Sequence, residues 1–229
     1  MDCDVVREAV GWAIATRRSV RGFTPEPVPA SIVECMLKLA SRAPSGSNIQ
    51  PWKVHVITGP ALERLKAALC AAHFSGESEA REYEYYPVNW RSPYLDRRRK
   101  IGCNLYALTG VTRGDHEAGL RQRGRNYIFF GAPVGFVFTI DRDLGQGSWL
   151  DFGMFLQNLM IAARGHNLHT CPQAAIANYP DILRAELGIP PDEIVVCGMA
   201  LGHEDPNEPA NRLETEREPL PVFCTFHEA

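Results

Sequence analysis

The chain has 229 residues, 45% hydrophobic and 22% charged, with a formal net charge of −3. Those values fit a single globular domain, give no general attraction to nucleic acid, and include no apolar run long enough to cross a bilayer. Seven scattered cysteines with no Cys-x-x-Cys pair read as reduced thiols of a cytoplasmic protein rather than as disulfides or a metal site.

Val6, Val10, Ala13 and Ile14 recur at helical spacing and predict a helix over 4–16. A basic knot follows, "RRSVRGF" from Arg17 to Phe23. Guanidinium forks beside a hydroxyl suit a phosphate; cations closing a helix at its negative end explain the same residues equally well. After "PEPVP", the positions Ile32, Val33, Met36, Leu37 and Ala40 predict a second amphipathic helix. It should end before Pro44, because the residue preceding proline disfavours the helix. The loop "APSGSNIQPW" then offers Ser45, Gly46, Asn48 and Gln50. These are small or polar groups that wrap a polar ligand, or simply make a turn.

"WKVHVIT" alternates like a strand, and residues 61–73 read as a helix. Residues 74–126 are rich in charge and aromatics and read as an insertion, with helices at roughly 95–109 and 116–130. "PVGFVFTI" is a strand buried on both faces. "SWLDFGMFLQNLMIAARGHNL" is the clearest helix, with Ser148 and Asp151 at capping-box spacing. "CPQAAIANYP" connects that helix to a short one closed by Gly188; its small residues allow a flat ligand to lie against the backbone. "EIVVCGMALG" is another buried strand. The extension 203–229 is polar and proline-bearing, carries Arg212 and Arg217, and ends in "PVFCTF", which reads as a last strand. Helices and unevenly spaced strands together predict an α+β sandwich, a central sheet between helical layers.

Four stretches in this order, Arg-Arg-Ser-x-Arg-x-Phe, Pro-Ser-x-x-Asn-x-Gln-Pro-Trp, the small-residue turn at 171–180 and a late arginine before Pro-Leu-Pro, resemble the FMN-dependent nitroreductase superfamily, in particular a nitrobenzoate-reductase-like branch with "CPQ". The resemblance runs from about residue 12 to 221 and is weakest in the insertion. It implies an intertwined homodimer around a central mixed sheet, with FMN at the dimer interface. It implies NADH or NADPH as donor, hydride transfer through flavin N5 in a ping-pong cycle, and a small nitroaromatic or quinone acceptor.

The same resemblance assigns Arg17, Arg18 and Ser19 to the FMN phosphate and ribityl chain, and Arg21 to the pyrimidine edge. Pro44, Ser45, Gly46, Asn48 and Gln50 would come from the partner subunit. Arg217 would complete the phosphate site. Two departures stand out. Thr215 occupies a place where the family often has lysine, so Arg212 is the alternative cation. Ala174 and Ala175 replace an acidic residue and glycine, so contact there falls to backbone amides, with Pro172 and Gln173 beside them. In the insertion, Tyr86, Trp90 and Tyr94 are the candidates for stacking on a planar substrate, although packing the insertion onto the core would explain aromatics there too. No protein nucleophile and no metal is expected. Two other readings share these residues: a flavoenzyme of the same fold with different chemistry, and a non-catalytic FMN-binding protein.

Overall fold

The computed structural model describes residues 2–227. Four strands form one sheet in the order β1-β2-β4-β3: β1 (Lys53–Thr58), β2 (Val134–Asp141), β3 (His169–Gln173) and β4 (Glu193–Gly202). All three strand pairings are antiparallel, with a bulge at Val196 of β4, opposite Phe138 and Thr139 of β2. The expected mixed character of the sheet is confined to one parallel bridge, Ser19 to Thr170, outside the named strands.

The pleat of β2 explains the layers. Successive side chains point to opposite faces, so Phe136, Phe138 and Ile140 enter one core and Val137 enters the other. The first core is closed by α2 (Ala30–Ala40) and α6 (Gln146–Gly165), through Val33, Met36, Phe152, Phe155 and Leu159. The second is closed by α3 (Gly59–Ser75) and α7 (Pro180–Leu187), through Leu62, Leu65, Leu69 and Leu183. Each fully buried Phe or Leu contributes roughly 1.5–3 kcal/mol from area removed from water. β4 is buried along its whole length, as expected of a central strand covered on both faces.

Four local expectations are corrected. The segment 169–173 is a strand, not a plain connection; Pro172 is tolerated because β3 lies at the sheet edge. "PVFCTF" forms no strand: Leu220–Phe223 is a short helix, α8. The capping box is absent, since α6 starts at Gln146 behind Gly145 and the Asp151 carboxylate is committed to the backbone N–H of Gly46 at 2.9 Å. The insertion's first helix, α4, runs Tyr94–Thr109, but the second, α5, stops at Gly124 rather than near 130. There a Cβ on Gly124 would lie 2.7 Å from the Phe74 ring, so the chain is pressed against α3. Phe129 and Phe130 then turn into the core, both at positive φ.

α1 (Cys3–Thr16) buries only Ala13 in the chain. Val5, Val6, Val10, Trp12 and Ile14 of this helix are exposed, as are Leu220, Val222, Phe223 and Phe226 near the other end.

Candidate active site

Residues 17–23 leave α1 and run along the outer edge of β3. Val20 N–H donates to the Thr170 carbonyl at 3.1 Å, and Phe23 N–H donates to the Phe130 carbonyl at 3.1 Å. The C-terminal extension locks this segment from its other side. Asn211 is 6% exposed; its Oδ1 accepts from Arg21 N–H at 2.7 Å, and its Nδ2 donates to the carbonyls of Gly22 and Asp205, both at 2.9 Å. Arg125 adds a fork to both Glu208 oxygens and donates to the Arg21 carbonyl at 2.8 Å. Gly22 is required by this closure, because a Cβ there would lie 2.2 Å from Glu208 Cγ.

The lock builds a cavity of about 830 Å³ whose walls include Arg17, Arg18, Ser19 and Arg21 from the first motif, and Arg212, Thr215 and Arg217 from the extension. Five arginines face it against one carboxylate, Glu214. Arg17 makes no ion pair among the described residues; burial, and then the charge of Arg217, hold its guanidinium below the usual range. Two cations facing one cavity without an ion-pair partner among the described residues repel each other, and a bound dianion relieves that repulsion. Thr215, in place of the lysine of the resemblance, accepts from Arg217 at its hydroxyl (2.9 Å) and so steadies the arginine. Arg212 lines the same wall.

The structure redistributes the first motif's tasks. The Arg18 fork is engaged by Glu204 and the Asn211 carbonyl, so much of its bonding capacity is spent inside the chain. Arg21 is without an ion-pair partner among the described residues and adds a weak bond to the Ser19 carbonyl at 3.3 Å. Burial pushes the adjacent Cys171 thiol up to about 11, so it stays protonated and is not a nucleophile.

β3 carries Pro172 and Gln173 into a helical turn, Ala174–Asn178. Gln173 is 2% exposed and its side chain donates to the Asn126 carbonyl at 2.7 Å, so the residue is turned into the protein. Gly198 of β4 lets the turn lie flat, since a Cβ there would be 2.6 Å from Ile176. The first amides of a helical turn have no acceptor inside it, which leaves N–H groups of Ala174 and Ala175 as the turn's polar offering.

The loop after α2 does not line the arginine cavity of its own chain. Ser47, Asn48 and Gln50 hold φ of 51°, 57° and 53°, on either side of a right-handed Ile49, and positive φ costs energy in non-glycine residues. The conformation is held by Asp151 on Gly46, by the Ser45 hydroxyl accepting from Gln50 N–H at 3.0 Å, and by Trp52 stacked on Phe155 at 4.9 Å. Pro44 and Ser45 lead into it, and most of the loop faces solvent.

The insertion aromatics divide. Tyr83 packs into both cores and donates to the Val196 carbonyl, so it fastens the insertion. Tyr86, Trp90 and Tyr94 remain at the surface, with Arg98 over the Tyr86 and Trp90 rings at 5.3 and 4.5 Å and Arg91 over Tyr94 at 5.2 Å. Asn211, Glu204, Arg125 and Glu208 are not legible in the sequence, because the contacts by which they hold the first motif lie far along the chain.

A three-layer α+β sandwich with an arginine-lined cavity at its edge defines a protein built to hold a phosphorylated cofactor. Comparison with known proteins agrees. Residues 14–203 match the model of the nitroreductase family. The chain is 39% identical over 213 residues to a 4-nitrobenzoate reductase of Pseudomonas putida, covering 93% of each, and 41% identical to a chloronitrobenzene nitroreductase of Comamonas testosteroni, covering 93% and 94%. Among solved structures, the FMN-dependent nitroreductase NfnB from Mycobacterium smegmatis in complex with NADPH superposes with a TM-score of 0.93 at 30% identity, covering 97% of this chain and 100% of that one. The chain belongs to the nitroreductase family.

Proposed function

We propose that this protein is an FMN-dependent NAD(P)H oxidoreductase that reduces nitroaromatic compounds and works as a cytoplasmic homodimer. The observation that carries the reading is the cavity where Arg17 and Arg217 meet without a paired carboxylate among the described residues. A dianionic phosphate monoester satisfies both guanidinium groups bidentately. Ser19 and Thr215 add hydroxyls beside them. When bound, the flavin supplies the two-electron transfer between nicotinamide donor and nitro acceptor.

The chain's own residues then have defined tasks. Arg17 and Arg217 hold the phosphate, with Arg212 as a further cation. Arg21 places positive charge along the segment that leads to the turn and favours negative charge on the flavin electrostatically. The backbone of Ala174 and Ala175 would meet the ring edge, beside Pro172 and the inward-turned Gln173. Tyr86, Trp90 and Tyr94 give the acceptor an aromatic surface. The loop with Ser45, Gly46, Asn48 and Gln50 serves the partner's site, a role supported by its absence from the lining of its own cavity and by its held, solvent-facing shape. The exposed apolar face of α1 and the apolar end of the chain supply surface for that assembly.

The test is an anaerobic titration. The purified protein should be yellow, bleach with NADH or NADPH, and recover colour on addition of nitrobenzene or 4-nitrobenzoate. Bleaching without recovery would assign a different flavin chemistry, and colour that neither nicotinamide bleaches would assign a binding protein.

A further inference from the structure

We propose that Arg81, at the start of the insertion, is a positioning residue that aims the backbone amide of Ala175 at the flavin site; this rests on the flavin reading above. Arg81 spans both ends of the turn Ala174–Asn178. Its Nη2 donates to the Ala174 carbonyl at 3.5 Å and to Asn178 Oδ1, and its Nε donates to the same Oδ1 at 3.1 Å. The neighbouring Ala80 N–H donates to the Asn178 carbonyl at 2.8 Å. Asn178 is 5% exposed, and its Nδ2 donates to the Tyr127 hydroxyl at 3.1 Å, so the far end of the turn is fixed in the core. Ile176 seats the middle of the turn on Gly198.

A trans peptide points its C=O and N–H in opposite directions. Drawing the Ala174 carbonyl toward Arg81 therefore turns the Ala175 N–H away from the insertion. This matters more here than it would with a charged side chain in the turn, because Ala174 and Ala175 offer only backbone polar groups. Arg81 makes no ion pair among the described residues, so its full charge also bears on the turn and favours negative charge collecting nearby. The insertion thereby fixes the electronic edge of the site while the phosphate is held elsewhere.

Arg81→Met and Arg81→Lys, each loaded with FMN, separate this role from simple tethering. With Arg81→Met we expect the flavin midpoint potential to fall and kcat with nitrobenzene to drop about tenfold or more, as for a misaimed preorganised donor. FMN Kd should change less than about threefold, because the arginine cavity is untouched. In flavin-free protein, amide exchange at 174–178 should accelerate. Lys keeps the charge but lacks the fork, so it should recover part of the potential and none of the exchange protection. An Arg81→Met protein with wild-type potential and kcat but a lower melting temperature would overturn the proposal. If Arg81→Met does not fold, Arg81→Lys with wild-type exchange would overturn it too. Failure of the wild-type protein to bind FMN would instead refute the flavin reading, and the exchange experiment would still decide whether Arg81 holds the turn.

Discussion

Arg17 and Arg217 stand at one cavity although they come from opposite ends of the chain, and the charge of Arg217, after burial, lowers the Arg17 pKa. Neither has an ion-pair partner among the described residues, whereas Arg18, lining the same cavity, is tied to Glu204. Two uncompensated cations beside one that is neutralised mark where the ligand's charge goes. Arg17→Ala and Arg217→Ala should each weaken FMN binding by about 1.5–3 kcal/mol, roughly 10- to 150-fold in Kd. Arg18→Ala should act mainly on stability, because it leaves Glu204 unpaired. Flavin fluorescence titration and thermal melts distinguish the two outcomes.

Gly22 tests how the cavity wall is built. A methyl group there meets the Glu208 side chain, which Arg125 holds in place. Gly22→Ala should cost about 1–3 kcal/mol of stability by forced displacement, and should loosen the Arg17–Arg21 segment enough to release flavin. A melt and a Kd measured on the same preparation check both effects.

The loop prediction depends on assembly. Asn48→Ala should reduce FMN affinity even though Asn48 lies away from its own chain's arginine cavity. Mixed dimers of Arg17→Ala and Asn48→Ala subunits give the sharper result. If the loop acts across the interface, one site carries both defects and the other carries neither, so half the flavin capacity returns. If the loop acts within its own chain, every site is damaged and none returns. Asp151→Ala, which frees Gly46 N–H, should mimic Asn48→Ala more weakly.

His169 gives the stability a pH dependence. Burial first, then the charges of Arg164 and Arg18, hold its pKa down to about 4 from 6.5, against a single opposing carboxylate, Glu204, at 3.5 Å. The folded state binds its proton less readily than the unfolded chain does. Stability from this residue is therefore complete above pH 6.5, falls as pH drops toward 4, and levels below that. The loss is on the order of 3 kcal/mol. Melting temperatures measured from pH 7 to 4 should fall more steeply for the wild type than for His169→Gln.

Much of the fold was legible because its signals are local. β1, β2 and β4 are β-branched or aromatic runs, and α2 and α6 carry broad apolar stripes. β3 was not legible: "HTCPQ" has a proline and no β-branched run, and it is a strand only because β4 and the Ser19–Val20 segment lie beside it. "PVFCTF" has strand composition but no neighbour to pair with. The capping-box spacing of Ser148 and Asp151 misleads because the partner of Asp151, Gly46, lies far away in sequence. In the site, residue types in motif order pointed to Arg17, Arg217 and the 172–175 turn. The Glu204 partner of Arg18, the inward turn of Gln173 and the Asn211 and Arg81 clamps were invisible, since each depends on tertiary contacts.

The most direct test of the account is equilibrium FMN binding to the wild type and to an Arg17→Ala, Arg217→Ala double variant, read by flavin absorbance after dialysis. The account predicts a wild-type protein that retains FMN through dialysis and a folded double variant that loses it. A colourless wild type that takes up no added FMN, or a double variant that retains it fully, would contradict the account.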